Sequence, residues 1–279
     1  MQNPHRSERR SASLGRRQAL ALGLAAPLLA GGAARAEARL LTLEQAIDGD
    51  WRSTRFRARD ASRHPAQELR FFGLHADMNV IEIWPAGGYW TEILAPYLRG
   101  RGTYTLGLGP PGSGEAGAET ALLARMRADP ALYGDVRLSV AAPGHVLAPP
   151  GSADLVMTFR NLHNWMKAGE AEAMIRLFHA ALRPGGILGI EEHRGRADAP
   201  QDPRALDGYV RQDYATRLIT DQGFTLLAGS DINANPRDTT HWPAGVWTLP
   251  PTLALGQKDR ARYLAVGEAD NFVLRFRKR

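Results

Sequence analysis

The chain has 279 residues, 44% of them hydrophobic, and contains no cysteine. This composition suits a globular core and excludes disulfide frameworks, cysteine nucleophiles and thiolate zinc sites. The formal charge is +6, but residues 1–36 hold six arginines and one acid, so the remainder carries 29 basic and 28 acidic residues, or +1. The positive charge therefore belongs mainly to the N-terminal segment and gives no support for nucleic-acid binding.

Residues 1–36 have the three parts of an export signal. Arg16-Arg17 precede a mostly apolar, Gly/Ala-rich run from Ala19 to Leu29, and Ala34-Arg35-Ala36 forms a small-x-small cleavage site. The arginine pair favours twin-arginine export, with a general secretory signal or an uncleaved anchor as alternatives. The apolar run is too short and Gly-rich for a persuasive membrane span. We expect a periplasmic or secreted protein that meets the twin-arginine machinery during targeting and keeps no stable membrane span after cleavage.

Residues 37–279 are predicted to form a single domain that begins with a helical arm. Leu41, Leu43, Ala46 and Ile47 have helical spacing. A further helix is expected from Pro65, which suits a first helical position, to about Gly73, which suits a helix end.

From residue 79 onward, apolar strands alternate with helices. The predicted helices cover 88–98, 115–127, 169–182 and 209–222, the third ending sharply at Arg-Pro-Gly-Gly 183–186. The predicted strands cover 79–84, 102–108, 136–140, 155–159, 187–191, 224–228 and 272–276. This alternation indicates parallel pairing in a doubly wound sheet. A Pro-, Asn- and Trp-rich insertion at about 230–268 is long enough to indicate a functional segment, placed to cover a ligand crevice.

The loop after the first strand is the first place to look for a ligand, because open parallel sheets bind ligands at the carboxyl ends of their strands. Gly87 and Gly88 allow backbone to approach a ligand closely, and Glu82 ends the strand with an acid. Methyltransferase loops follow the pattern acid-x-Gly-x-Gly-x-Gly; here Trp84 and Ala86 stand at the first two glycine positions. The Gly-x-Gly-x-x-Gly pattern of dinucleotide-binding proteins is absent. A tight turn without a ligand is the alternative.

Two later segments suit the same core: 154–161, an apolar strand opened by an acid, and 182–188, a helix-turn-strand junction. Together with the loop after the first strand, these segments make the chain resemble a family of exported proteins, the predicted class I S-adenosylmethionine-dependent methyltransferases. The resemblance spans about residues 57–276. Its matching segments are RHPAQELRFFGL, VIEIWPAGGYWTEILAPYL, FRNLHNWM, ALRPGGILGIEEHR, DINANPRDTTHWPAGVWTLPPTLALG and LAVGEADNFVLRF.

The resemblance implies a Rossmann-like, doubly wound α/β fold whose seven-stranded sheet is mostly parallel, with an antiparallel last strand. It implies S-adenosylmethionine as cofactor and a small molecule as methyl acceptor. The cofactor-binding residues that it implies are Glu82, Pro85, Ala86, Gly87 and Gly88 in the loop, and Phe159, Arg160 and Asn161 after the fourth strand.

Polar side chains should converge beyond the fourth and fifth strands. We take His163, Glu192 and His193 as the catalytic residues, because a neutral histidine there can act as general base on an acceptor hydroxyl or amine. Methyl transfer itself needs mainly the alignment of the reacting atoms. The alternative is that these side chains cap backbone groups and form a local ion-pair cluster.

A metal site is not expected. Residues of ligand type are present, but no tight His-x-x-x-His or similar spacing links them. They are His163, Glu191, Glu192, His193 and His241.

Two further groups of residues allow two interpretations each. His64, with Arg57, Asp60 and Arg63 nearby, forms either a polar wall of the site or a solvated, ion-paired surface. The late tryptophans, Trp242 and Trp247, either stack on a planar ligand or anchor the insertion.

Two other classes of function stay open. One is an exported binding protein or degenerate enzyme that keeps the fold without methyl transfer, since S-adenosylmethionine is made in the cytoplasm. The other is a metal-assisted hydrolase or lyase that uses the His/Glu cluster. Fold alone does not decide among them.

Overall fold

The computed structural model describes residues 40–110 and 116–279. The predicted export signal, residues 1–36, lies outside the described residues. Among the helices within the described ranges, none has both the length and the apolar character needed to span a membrane.

Seven strands form one sheet: β1 Asn79–Ile83, β2 Thr103–Leu108, β3 Val136–Val140, β4 Ala153–Phe159, β5 Leu182–His193, β6 Phe224–Ser230 and β8 Asn271–Lys278, with the short β7 Pro243–Val246 outside this sheet. Their order in the sheet is β3-β2-β1-β4-β5-β8-β6. The pairs β1–β2, β1–β4, β2–β3 and β4–β5 are parallel, whereas β8 is antiparallel to both β5 and β6. The predicted fold class is therefore confirmed.

Eleven helices are assigned within the described ranges. Four precede the sheet: α1 Leu43–Ile47, α2 Thr54–Arg57, α3 Asp60–Arg63 and α4 Pro65–Phe72. The others are α5 Thr91–Leu98, α6 Ala116–Ala128, α7 Pro130–Tyr133, α8 Leu162–Ala168, α9 Ala171–Ala181, α10 Gln212–Thr220 and α11 Arg260–Val266. The predicted helix at Pro65 is confirmed, with Gly73 as its left-handed C-cap at φ 78°.

The sheet is covered on both faces, as its continuous apolar strands require. On one face Ile81, Val156 and Leu188 pack against α8 and α9, which contribute Trp165 and Phe178. A second core fills the opposite face between the strands and the helices of the arm and α5. A third, smaller cluster holds the insertion together through Tyr209, Val246, Leu249, Tyr263 and Ala269.

Two local predictions were wrong in their bounds. The segment 183–186 ends helix α9 as expected, but it belongs to β5, which begins at Leu182. Gly185 takes φ 73°, and the β4–β5 register shifts between Ala153 and Leu155, so an irregularity absorbs the Pro-Gly-Gly sequence without ending the strand. Residues 162–168, for which no helix was predicted, form α8, closed by Gly169 at φ 75°.

The strand order reverses between β1 and β4, since β2 and β3 extend the sheet on one side and β5, β8 and β6 on the other. A crevice opens at the carboxyl ends of the two strands at such a switch point. The loops that follow β1 and β4 therefore face each other across this crevice.

Candidate active site

A cavity of about 280 Å³ lies at the carboxyl ends of β1, β4 and β5. The α2–α3 arm and residues 246–252 of the insertion close its sides. Most of the residues predicted for the site line this cavity, namely Glu82, Pro85, Ala86, Gly87, Phe159, Arg160, Asn161, His163 and His193. Gly88 and Glu192 are not among the lining residues, although Glu192 contacts His163, which is.

The loop after β1 keeps a glycine-type backbone where glycine itself is missing. Trp84, Ala86 and Gly88 have φ values of 49°, 50° and 87°, so all three positions of the x-Gly-x-Gly-x-Gly pattern are left-handed. Glycine adopts this conformation freely, whereas other L-residues lose about 1–2 kcal/mol each. The left-handed φ of Trp84 also ends β1 one residue earlier than predicted.

The two real glycines of the loop face side chains of the same protein. A Cβ on Gly88 would lie 2.5 Å from Leu122 Cδ1 of α6, and a Cβ on Gly87 would lie 3.4 Å from Phe56. The carbonyl of Gly87 accepts from Arg125 Nη2 at 2.6 Å. Gly88 is thus needed for helix packing, which explains its place outside the cavity lining.

The indole of Trp84 bridges the strand ends on the β2–β3 side. Its Nε1 donates to the carbonyl of Ala141 at 2.9 Å, and its ring meets Trp165 edge to face at 5.6 Å. Its backbone N–H donates to Gly107 at the end of β2 at 2.8 Å. No residue of β2 or β3 lines the cavity, so the indole separates the cavity from those strand ends.

Glu82 is buried and bonded within the fold. Its Oε2 accepts from Thr91 Oγ1 at 2.9 Å and from the hydroxyl of Tyr104. Burial raises the pKa of Glu82 to about 7, against which these two hydrogen bonds act only in part. Near neutral pH the side chain is therefore divided between its acid and carboxylate forms.

Phe159 and Asn161 form the wall at the end of β4. Phe159 stacks on Trp90 with ring centroids 4.2 Å apart and an interplanar angle of 20°. Asn161 Nδ2 donates to the carbonyl of Ile83 and to Thr158 Oγ1, each at 3.1 Å. The Asn161 amide thus clamps the ends of β1 and β4 together.

His163 and Glu192 form a dyad of the kind that activates a general base. His163 Nδ1 lies 2.9 Å from Glu192 Oε1, and the backbone N–H of His163 donates to Oε2 at 3.1 Å. Burial alone would raise the pKa of Glu192, but the charge and hydrogen bond of His163 hold it below its ordinary value. A carboxylate on Nδ1 keeps the proton there and leaves Nε2 as the basic nitrogen of His163.

His193 is a second imidazole beside the first, with ring centroids 5.3 Å apart. Its Nδ1 lies 2.7 Å from Asn271 Oδ1, while Asn271 Nδ2 donates to the carbonyl of Ala269 at 3.1 Å. The amide orientation therefore makes His193 Nδ1 the donor. Burial lowers the pKa of His193 to about 3, so the ring is neutral with a free lone pair on Nε2.

The fold brings His163 of α8 next to two consecutive residues of metal-ligand type at the end of β5, Glu192 and His193. Ligand atoms of His163, Glu192 and His193 all lie within 4.8 Å of one another. Both carboxylate oxygens of Glu192, however, already accept hydrogen bonds, including one from the backbone N–H of His193 at 2.8 Å. Glu191 and His241 do not join this cluster: Glu191 contacts Arg160, and His241 borders a separate groove. The geometry therefore favours an orienting role for Glu192 over a ligand role.

A group of arginines lines the cavity beyond the histidines. Arg59 and Arg63 of the arm both contact Glu268, at 2.5 Å and 3.2 Å, and Arg160 Nη1 contacts Glu191 Oε2 at 2.6 Å. Of the predicted polar wall, Arg63 therefore lines the cavity, whereas Arg57 is exposed.

Two buried carboxyl groups, those of Glu68 and Glu191, lie next to Arg160, and Glu191 contacts it directly. Asn233 Nδ2 donates to Glu68 Oε2 at 2.6 Å and to Glu191 Oε1 at 2.9 Å. Burial and the neighbouring Glu191 raise the pKa of Glu68 well above its ordinary value. The Oδ1 of Asn233 lies 3.0 Å from His64 Nδ1, which ties the insertion to the arm.

The two late tryptophans have different positions. Trp247 lines the cavity and meets His163 edge to face at 5.8 Å. Trp242 packs on Tyr263 at 5.9 Å and bonds Asp238 at 2.7 Å, so it anchors the insertion.

Several residues of the site were not predicted from the sequence. Arg59, Asn233, Glu268 and Asn271 belong to the arm, the insertion and the start of β8, where no periodic pattern marks them. Their only sequence signal is that they lie in or beside the matching segments.

No family model and no curated protein matches this sequence. Solved structures share its fold. An S-adenosylmethionine-dependent methyltransferase from Aquifex aeolicus matches with a TM-score of 0.55 and 11% identity, over 85% of this chain and 97% of that one. The [4+2]-cyclase SpnF matches with a TM-score of 0.56 and 17% identity, over 78% and 80% of the two chains.

A third similar structure is phosphoethanolamine N-methyltransferase 2 of Haemonchus contortus in complex with S-adenosyl-L-methionine. It matches with a TM-score of 0.53 and 12% identity, over 86% of this chain and 60% of that one. The structural neighbours include class I methyltransferases, and at these identities the likeness establishes the fold.

Proposed function

We propose that this protein transfers a methyl group from S-adenosylmethionine to a small-molecule acceptor in the cavity at the β1–β4 switch point. The observation that carries the proposal is the His163–Glu192 dyad, whose histidine lines that cavity. The fold shared with methyltransferases supports it, as does the glycine-type backbone at residues 84, 86 and 88.

The residues present suit one half of the cofactor directly. Pro85, Ala86 and Gly87 would lie along its amino-acid end, since they border the cavity and their backbone is left-handed at Ala86. The nucleoside end would lie toward the ends of β1 and β2 by the general rule for such sheets, where the indole of Trp84 now lies. Cofactor binding therefore requires that the Trp84 side chain turn away from Ala141.

When bound, the cofactor supplies an electrophilic methyl group on a sulfonium. His163 Nε2 takes the proton that the acceptor hydroxyl or amine loses, and Glu192 stabilises the resulting imidazolium through Nδ1. Neutral His193 offers Nε2 as a hydrogen-bond acceptor and so orients a second donor of the acceptor molecule. The aromatic rings of Trp90 and Phe159 form an apolar wall that limits the entry of water.

Isothermal titration of the purified protein with S-adenosylmethionine and S-adenosylhomocysteine tests cofactor binding. Transfer of labelled methyl from S-adenosylmethionine into a small-molecule extract tests the reaction. We expect His163→Ala to retain cofactor affinity and to lower methyl transfer by about 10²–10⁴-fold, as general-base removal does. Absence of binding to either compound at millimolar concentration would refute the proposal.

A second candidate is a methyltransferase-fold protein that binds a ligand without methyl transfer. It is favoured by the indole of Trp84 across the strand ends and by Leu122 against Gly88. One of the solved structures that share this fold is named a [4+2]-cyclase and not a methyltransferase. Mass spectrometry of ligands that co-purify with the exported protein separates the two: adenosyl compounds support methyl transfer, and an unrelated metabolite supports the binding protein.

Export is part of the proposal and rests on sequence alone. Arg16-Arg17 and the following apolar run predict twin-arginine export of a folded chain to the periplasm. Fractionation of cells that express wild-type or Arg16→Lys/Arg17→Lys protein tests it. The variant is expected to remain in the cytoplasm; equal export of both proteins would favour a general secretory signal.

A further inference from the structure

Two arginines of the cavity have hydrogen-bond donors that the protein does not use. Arg63 and Arg160 side chains are only 5% and 14% exposed. Arg63 donates a hydrogen bond from Nε to Glu268, and Arg160 donates one from Nη1 to Glu191. Among the described residues neither Nη1 nor Nη2 of Arg63, nor Nε or Nη2 of Arg160, has a hydrogen-bond partner, yet none of these atoms is sealed from solvent. Both residues line the cavity, and the Arg63 guanidinium lies over the Tyr89 ring with Cζ 4.4 Å from its centroid.

The three arginines at the cavity outnumber the carboxylates that contact them. Arg59, Arg63 and Arg160 meet two carboxylates, Glu268 and Glu191. The third carboxyl nearby, Glu68, bonds Asn233 and forms no ion pair with an arginine among the described residues. The three guanidiniums therefore share two contacting carboxylates. Burial, together with the repulsion of Arg160, lowers the pKa of Arg63 to about 10, as expected for a guanidinium that lacks a full counter-charge.

The backbone of Arg160 is also held in a costly conformation. Its φ is 59°, in the left-handed region, while its N–H donates to the carbonyl of Glu191 at 2.8 Å. Such conformations persist where the surrounding structure fixes them, and they concentrate at functional sites. Here the strain directs a guanidinium to the end of β4, beside His193, whose pKa its charge helps to lower.

We propose that Arg63 and Arg160 bind a carboxylate of the methyl acceptor, so that the substrates are small carboxylic acids; this inference rests on the proposed function. Guanidinium forks match carboxylates in geometry and charge. S-adenosylmethionine carries a net positive charge, with two cationic groups and one carboxylate, so a bound cofactor adds no net negative charge to the site. The stacked rings of Trp90 and Phe159 favour a flat hydrocarbon body next to the carboxylate.

A pair of isosteric probes tests the charge requirement. Isothermal titration measures benzoate and neutral benzamide binding to the full-length chain in the presence of S-adenosylhomocysteine. We expect benzoate to bind at least about tenfold more tightly, the effect of a charge-assisted hydrogen bond. Arg63→Gln and Arg160→Gln should each reduce this ratio to about twofold or less, and Arg160→Lys to an intermediate value, because lysine keeps the charge without the fork.

Arg196→Gln is the matched control, because Arg196 pairs with Asp198 on the surface, outside the cavity lining. It should keep the wild-type ratio. If a glutamine variant fails to fold, the wild-type ratio and Arg160→Lys still decide the question. Equal affinities for benzoate and benzamide in the wild-type protein would overturn the proposal.

Two further outcomes separate this inference from its premise. If the glutamine variants weaken S-adenosylhomocysteine about tenfold but leave carboxylate-free 5′-methylthioadenosine unchanged, the arginines hold the cofactor's own carboxylate, and the assignment to the acceptor is overturned. If S-adenosylhomocysteine does not bind at all while the cofactor-free protein still prefers benzoate, the anion site stands and methyl transfer fails.

Discussion

The two halves of the crevice differ in what fills them. On the β1–β2 side the protein's own side chains occupy the loop: Trp84 bonds Ala141, and Leu122 lies against Gly88. On the β4–β5 side His163, His193 and Arg160 line the cavity, and Arg63 of the arm joins them there. The contrast teaches that a strand-to-helix loop can hold left-handed backbone at two positions without glycine, while the groups suited to chemistry line the cavity on the other side.

The largest expected effect comes from the β4–β5 half. Glu192→Ala leaves the Nδ1–H of His163 and the backbone N–H groups of His163 and His193 without an acceptor inside a buried site. The free energy of unfolding should fall by about 3–5 kcal/mol, measured by urea denaturation.

Glu192→Gln is the conservative counterpart of that change. It keeps one acceptor oxygen and should cost only about 1–2 kcal/mol. Long-range ¹H–¹⁵N spectra should show the His163 proton on Nδ1 in the wild type, because Glu192 Oε1 accepts there. A wild-type proton on Nε2 would contradict the dyad and with it the claim that this half is ready for proton transfer.

Substitution of Asn233 tests whether its hydrogen bonds to Glu68 and Glu191 stabilise the carboxylates next to Arg160. Asn233→Ala removes the amide that separates Glu68 from Glu191, so we expect a loss of about 2–4 kcal/mol of unfolding free energy. Asn164→Ala, at a half-buried cavity residue with no side-chain hydrogen bond among the described residues, is the control and should cost less than about 1 kcal/mol. Equal losses would mean that Asn233 has no special role.

The two halves should respond to pH in opposite directions. The folded-state pKa of Glu82 is about 7 against an ordinary 4.5, so the folded protein binds the extra proton and loses stability as pH rises through that window. The pKa of His193 is about 3 against 6.5, so its contribution is present above pH 6.5 and is lost as pH falls.

Glu82→Gln should therefore gain stability relative to wild type between about pH 4.5 and 7, by roughly 2–3 kcal/mol at the plateau. His193→Gln should differ from wild type in its pH dependence only below about pH 6.5. Urea denaturation across pH 4–9 measures both. Parallel curves for Glu82→Gln and wild type would show that Glu82 titrates normally.

The smallest expected effect tests the strained loop. Ala86→Gly should raise the unfolding free energy by about 1 kcal/mol, because φ is 50° at this position and glycine adopts it without cost. Ala95→Gly, within buried helix α5, should lower it by about 1 kcal/mol or more. A loss of stability in Ala86→Gly would show that the loop is not under strain.

Local patterns in the sequence predicted most of the sheet. All seven strands of the sheet were found because each is a short segment of continuous or alternating apolar residues, and β3, Val-Arg-Leu-Ser-Val, has the predicted bounds 136–140. The extension of β5 through Pro184 to Gly186 was not predictable, because it depends on an irregular pairing with β4. Helix α8 was missed because its seven residues are too few to show a clear period.

The site was predictable where topology alone determines it. His163, Arg160 and Glu192 follow or end adjacent strands, so parallel pairing brings them together. The contact between Arg59 and Glu268 joins residues 209 positions apart, and no sequence period connects the arm to the start of β8. The position of the Trp84 indole was equally unpredictable, since it depends on a left-handed backbone that sequence favours for glycine.

Isothermal titration of S-adenosylhomocysteine into wild-type, Trp84→Phe and Trp84→Gly protein tests most directly whether the β1–β2 side of the crevice, where the Trp84 indole lies, is a cofactor site. Glycine removes the indole and suits the left-handed backbone already present. We predict that Trp84→Gly binds at least about tenfold more tightly than wild type, with Trp84→Phe between them, because no side chain has to leave Ala141. No binding by any of the three proteins, or weaker binding by Trp84→Gly than by wild type, would contradict the account.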